Sequence, residues 1–252
     1  MLSANSFEQA QTYNDVVMAF EAEPTCLQSL FSKQPLEHLD AGRTLFFEGD
    51  HAKHLFELME GVLRIFKIMA DGRRVITGFL YPGDLVGVSL RSHYLYSAEA
   101  VTPVRLRRFS RRAFEDMVDS SPELRPQLLA RLCDEMAAAQ DQMVLLSCKS
   151  AEERLCSFLL HQLQRKRDQE RSCSLVDLPM TRLDIADYLG LTIETVSRTM
   201  TRLTNKGIVS PAGRHSIRIL KARTLAHLAG ESDECDDSCS RVISLNDARR
   251  RH

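Results

Sequence analysis

Apolar positions change their spacing along the chain, and each change predicts a different kind of element. Over residues 39–104 they fall in short runs: Thr44-Leu45-Phe46-Phe47, His54-Leu55-Phe56-Glu57-Leu58, Val62-Leu63-Arg64-Ile65-Phe66 and Val75-Ile76-Thr77-Gly78-Phe79. Between the runs sit Gly42, Gly49-Asp50, Glu60-Gly61, Asp71-Gly72 and Pro82-Gly83-Asp84. Glycine supplies the positive φ of hairpin turns, so turns at this spacing predict a small antiparallel barrel or sandwich. A short helix is expected before it, over residues 25–31, and another after it, over residues 112–118.

From Leu129 the apolar spacing alternates between three and four, through Leu132, Met136, Ala139 and Met143 to Leu146. This a/d seam predicts a helix entered at Pro122 or Pro126 that packs either against a second copy, as a homodimer, or over its own domain. Leu128, Val144 and Leu145 widen the stripe, so the helix is expected to meet the β domain as well as a partner. Ser150 with Glu153 three residues on then signals the start of another helix, with Leu155, Phe158, Leu159 and Leu163 on its apolar face. The run 165–171, RKRDQER, reads as a charged connector, a loop or a frayed helix end.

Residues 181–203, TRLDIADYLGLTIETVSRTMTRL, have the spacing of a helix-turn-helix. Thr181 and Asp184 form a capping-box pair, Ile185, Ala186 and Leu189 point inward, and Gly190 allows the tight turn. Leu191 and Val196 complete the core, while Thr192 is placed to cap the second helix. That second helix offers Glu194, Thr195, Ser197, Arg198 and Arg202, positions that meet base edges when such a helix enters the major groove of double-stranded DNA. Arg198 can donate twice to guanine and Glu194 can accept from cytosine. Four residues apart, the two could instead form a helix-surface ion pair, or do both. Two strands around residues 211–215 predict a wing that carries Arg214 and His215 to phosphates, and residues 221–228 a closing helix.

Composition narrows the picture without overturning it. The 252 residues suffice for two domains, and a formal net charge of -1 gives no whole-chain sign of a nucleic-acid partner. The charge is local: residues 178–220 carry six basic side chains against three acidic ones. No apolar run reaches the ~18 residues of a membrane span, and the N-terminus lacks a signal-peptide pattern, so no membrane partner and a cytoplasmic address are expected. No Ser/His/Asp or metal constellation suggests an enzyme. The seven scattered cysteines read as reduced thiols, with Cys148, Cys156 and Cys173 as candidate redox positions. Cys235 and Cys239 supply only half of a zinc site.

The stretches GRTLFFEGDHAKHLFELMEGVLRIFK, DGRR and YPGDLVG resemble the jelly-roll sensor domain of the CRP/FNR superfamily of bacterial regulators, and ETVSR with the block DYLGLTIETVSR resembles its FNR and FixK branch. The resemblance implies an α+β chain. Its expected parts are a lead-in (1–24), a cyclic-nucleotide-binding-like β-roll (25–119), a dimerisation helix (120–148), a winged helix-turn-helix (149–229) and a mobile tail (230–252). It also implies a transcriptional activator that binds a palindrome of TTGAT-like half-sites in oxygen-limitation or nitrogen-fixation control, with RNA polymerase as a partner. Members that bind cyclic AMP carry a Glu where this chain has Val88 and an Arg where it has Tyr96, and the spacing of Arg91 does not fit. A phenol cannot replace a guanidinium on a buried phosphate. An iron-sulfur cluster requires four thiolates, and Cys26 stands alone before Cys133. No cofactor is therefore expected. An unidentified small-molecule effector, or thiol redox sensing, remains the alternative input.

Overall fold

The structure, a computed structural model, describes residues 26–89, 91–169 and 174–231. The expected lead-in and most of the expected tail lie outside them. A short 3-10 helix, Leu27–Phe31, precedes strands β1 (Leu36–Leu39), β2 (Thr44–Phe46), β3 (His54–Glu60), β4 (Leu63–Ile68), β5 (Arg74–Leu80), β6 (Leu85–Val86), β7 (Ser97–Ala100) and β8 (Val104–Ser110). They form two four-stranded antiparallel sheets, ordered β1-β8-β3-β6 and β2-β7-β4-β5. Phe46, Leu63, Ala98 and Ala100 of one sheet meet Phe56, Leu58, Val86 and Leu106 of the other in a shared core. Gly61 turns β3 into β4 at φ 88°, and a Cβ there would lie 2.4 Å from the carbonyl oxygen of Pro103. Only glycine fits that turn.

Leu55 and Leu85 point out of the first sheet, where Leu27, Leu30, Phe31, Phe114, Val118 and Leu124 cover them. Phe114 and Val118 belong to helix α1 (Arg111–Ser120), and Leu124 begins helix α2 (Leu124–Cys148). Neither expected proline opens α2. Glu123 precedes it without a side-chain capping bond, and Pro126 sits within the first turn, where a missing N–H costs nothing. The flanking residues divide their work differently from expectation: Leu128 packs under the roll, Leu145 joins the C-terminal core, and Val144 stays exposed.

Helix α3 (Ala151–Gln169) follows. Ser150 caps it reciprocally with Glu153, whose carboxylate accepts from the Ser150 N–H at 2.6 Å. The charged run expected as a loop or frayed end is helical through Gln169, because its cations have partners. The Arg165 guanidinium lies 3.4 Å from the centroid of the Tyr81 ring, and Lys166 pairs with Asp177 at 3.6 Å. The remaining elements are β9 (Leu175–Asp177), α4 (Arg182–Leu189), α5 (Ile193–Asn205), β10 (Val209–Pro211), β11 (Ser216–Ile219) and α6 (Ala222–Leu228). Strand β9 was not anticipated; it makes the two expected wing strands a three-stranded sheet, ordered β10-β11-β9. Leu155, Cys156, Phe158, Leu159 and Leu163 of α3 form the floor of the core that α4 and α5 complete. Among the described residues no helix is long and apolar enough to cross a membrane.

Candidate nucleic-acid interface

Helix α4 starts where its capping pair dictates. The Thr181 hydroxyl accepts from the Asp184 N–H at 3.1 Å, and the Asp184 carboxylate accepts from the Thr181 N–H at 3.0 Å and its hydroxyl at 2.8 Å. Gly190 ends it in the left-handed region, φ 62° and ψ 40°. Two residues later the Thr192 hydroxyl accepts from the Thr195 N–H at 3.2 Å and opens α5. Val196, Thr199, Met200 and Leu203 turn inward and are buried. The opposite face presents Ile193, Glu194, Ser197, Arg198, Thr201 and Arg202 to solvent, with Thr195 half-buried.

The sequence-predicted contacts are thereby sorted. Arg198 has no hydrogen bond or ion pair among the described residues, so its guanidinium is free to dock. The alternative ion pair with Glu194 is not formed within 4.0 Å. Glu194 is held below the usual carboxylate range by its own backbone N–H and the Thr192 hydroxyl, with a smaller contribution from Arg198. It stays charged at neutral pH. Arg202 is differently placed: Glu152, in the first turn of α3, binds it at 3.2 Å and Lys206 at 3.4 Å, bracing the far end of α5. Arg214 and His215 are exposed in the wing between β10 and β11.

Other side chains at this surface escaped the sequence reading. Arg182, in the first turn of α4, has a buried Nη1 with no partner, and burial lowers its pKa. It lines a cavity of about 300 Å³ with Met180, Ile185, Met200, Pro211 and Arg214. A further arginine, Arg154, binds three carbonyl oxygens at once: Lys149 at 2.9 Å, Leu189 at 3.0 Å and Leu146 at 2.9 Å. It joins the end of α2 to the end of α4. Its position one turn into a helix gave no sign of this.

On α2, Leu129 is 63%, Met136 60% and Met143 68% exposed. Ala139 and Leu146 are also exposed, and Leu132 is half-buried. Every residue from Cys133 to Asp141 is exposed, so the middle of this helix receives no tertiary support from its own chain.

The Crp-like helix-turn-helix domain matches residues 153–228, and the cyclic nucleotide-binding domain matches residues 36–121. The nitrogen fixation regulation protein FixK of Bradyrhizobium diazoefficiens is 40% identical over 173 residues, which cover 69% of this chain and 73% of that protein. This chain belongs to the CRP/FNR family of transcriptional regulators, in its FixK branch. The transcriptional activator protein FnrL of Cereibacter sphaeroides is 36% identical over 77% of this chain and 80% of its own. Among solved structures, FixK2 from Bradyrhizobium japonicum superposes with a TM-score of 0.73 at 30% identity, over 79% of this chain and 98% of FixK2.

The interior of the roll is filled by its own side chains. Tyr96 is half-buried, its hydroxyl accepts from the Gly87 N–H at 3.0 Å, and desolvation pushes its pKa up to about 12. Tyr94 stacks on Phe46 with centroids 3.7 Å apart, and Phe56 and Tyr96 close the cluster at 6.0 and 5.8 Å. Val88 packs outward, against the cluster around Leu27, and Arg91 is exposed, away from this interior. Of the candidate redox cysteines, Cys156 is fully buried and its thiol is pushed up to about 12, first by burial and then by Glu152. Such a thiol is a core side chain and a poor nucleophile. Cys148 is exposed at the end of α2, and Cys173 lies outside the described residues.

Proposed function

We propose that this FixK-branch regulator binds double-stranded DNA as a homodimer and reads a palindrome of TTGAT-like half-sites without a cyclic nucleotide. The observation that carries this reading is the exposed pair Glu194 and Arg198, with Ser197 beside them, on the outer face of α5. A carboxylate on a phosphate-facing helix weakens non-specific attraction, so its presence favours base readout. Pairing of α2 from two copies through Leu129, Leu132, Met136, Ala139, Met143 and Leu146 supplies the second half-site reader, about 34 Å away along the duplex. Thr192 and Thr195 flank the reading pair, Arg202 approaches from the braced end of α5, and the exposed Arg214 of the wing reaches the phosphates. The relatives' names, a nitrogen fixation regulation protein and a transcriptional activator protein, support gene control by activation; oxygen-limited respiration or nitrogen fixation as the controlled process, RNA polymerase as a partner and the cytoplasm as the address belong to the same proposal.

The wing provides the first test. Arg214→Ala is expected to weaken matched and scrambled duplexes equally and to reduce the slope of log affinity against log salt by about one per subunit. Fluorescence anisotropy titrations at several salt concentrations measure both. A loss confined to the matched duplex would contradict the assignment of Arg214 to phosphate contact.

A further inference from the structure

The first helix of the reading head is held at both ends by the rest of the chain. At its N-terminal end, Asp184 is buried to 1% exposure. Asp184 Oδ2 serves the Thr181 cap, while Oδ1 accepts from Arg64 Nη1 at 2.9 Å and Arg74 Nη2 at 2.8 Å. One turn on, Asp187 Oδ2 accepts from Arg74 Nη2 at 2.9 Å and Nε at 3.0 Å. Arg64 lies on β4 and also pairs with Glu99 of β7; Arg74 opens β5. At the C-terminal end of α4, the Tyr188 carbonyl accepts from Gln142 of α2 at 3.0 Å, and Arg154 binds the Leu189 carbonyl.

Apolar contact already joins the same elements, because Phe79 of β5 packs on Tyr188 and Phe158 with centroids 5.5 and 6.4 Å away. Burial of apolar surface is non-directional and would tolerate rotation of the head. Guanidinium-carboxylate contacts are charge-assisted and directional, and Arg74 grips two carboxylates one turn apart. The contact does not hide the reading surface, since Glu194 and Arg198 remain exposed while Asp184 and Asp187 are engaged.

We infer that Arg64 and Arg74 are positioning residues for DNA recognition: gripping Asp184 and Asp187, they fix the angle of the reading head on its own roll and so set the half-site spacing the dimer accepts. This rests on the function proposed above. In a dimer, α2 fixes the separation of the two subunits while the roll clamp fixes the rotation of each head, and both must be right for two recognition helices to enter successive grooves.

The test compares the full-length protein with Arg74→Gln and with the charge-conserving Arg74→Lys. The probes are TTGAT palindromes at the spacing the parent prefers, the same palindromes one base pair longer or shorter, and a duplex with one half-site. Arg74→Gln should lose about tenfold on the preferred spacing, a typical size for coupling between sites. Its affinity for the single half-site should be unchanged and its discrimination against shifted spacings reduced; Arg74→Lys, which keeps the charge facing Asp184 and Asp187, should restore part of the lost affinity and discrimination. Thermal melts of all variants separate this from unfolding, which would lower half-site binding too. If the parent discriminates spacing and Arg74→Gln discriminates equally well, or if half-site and palindrome affinities fall together, the clamp is structural only and the inference fails. If the parent does not prefer the palindrome at all, the proposed function itself fails.

Discussion

Replacing Arg198 with alanine is expected to abolish the preference for the matched palindrome while leaving the folded dimer intact. A bidentate arginine-guanine contact discriminates by about 1–3 kcal/mol, so two copies in a dimer place roughly 2–6 kcal/mol at risk. That corresponds to a loss of roughly 30-fold to four orders of magnitude in specific affinity. Because Arg198 has no hydrogen-bond or ion-pair partner among the described residues, its removal orphans no carboxylate there, and melting temperature should be unchanged. On a scrambled duplex the variant should lose only what one phosphate-range cation contributes. Titration of both duplexes with parent and variant at one salt concentration gives the comparison. Equal losses on the two would remove Arg198 from base readout.

A charge placed in the α2 seam should have an effect of similar size by a different route. Met136 and Met143 are exposed apolar side chains in the stretch of α2 that buries least against its own chain, so Met136→Asp would set two carboxylates against each other in a desolvated interface. The expected product is a folded monomer. Losing the second reader removes the effective-concentration gain of linkage, about 10²- to 10⁴-fold on the palindrome, while affinity for a single half-site is retained. Ala138→Asp, on the opposite face of the same helix, should change neither property. Sedimentation velocity together with the two titrations decides the matter, and a Met136→Asp protein that remains dimeric would return the stripe to a surface feature.

Local chemistry was legible in the sequence, whereas long-range pairing was not. Thr181, Asp184, Gly190 and Thr192 act where their residue types predict, because caps and left-handed turns depend on neighbours within four residues. Strand β7, Ser97–Ala100, went unseen because its sequence SAEA has no bulky run; Ala98 and Ala100 are small where the two sheets close on each other, and both are fully buried. Strand β1 alternates weakly, as suits a sheet edge paired on one side with β8. The run from Arg165 looked solvated because nothing nearby in sequence reveals that the Tyr81 ring lies beneath its first guanidinium. Asp184 is the clearest case. Its capping role was readable, but its pairing with Arg64 and Arg74, 120 and 110 residues earlier, appears only in three dimensions. Charge in a sequence gives sign and amount, and folding chooses the partner.

Ligand-independent reading of a specific palindrome is supported by an Arg198 on α5 that has no partner among the described residues and by a roll interior occupied by Phe46, Tyr94 and Tyr96. It is tested most directly by titrating the purified protein onto a TTGAT-type palindrome and a scrambled duplex, with and without cyclic AMP. The account predicts tight binding to the palindrome, at least ~10³-fold over the scrambled sequence, in both conditions. Equal affinity for the two duplexes, or palindrome binding that appears only when cyclic AMP is added, would contradict it.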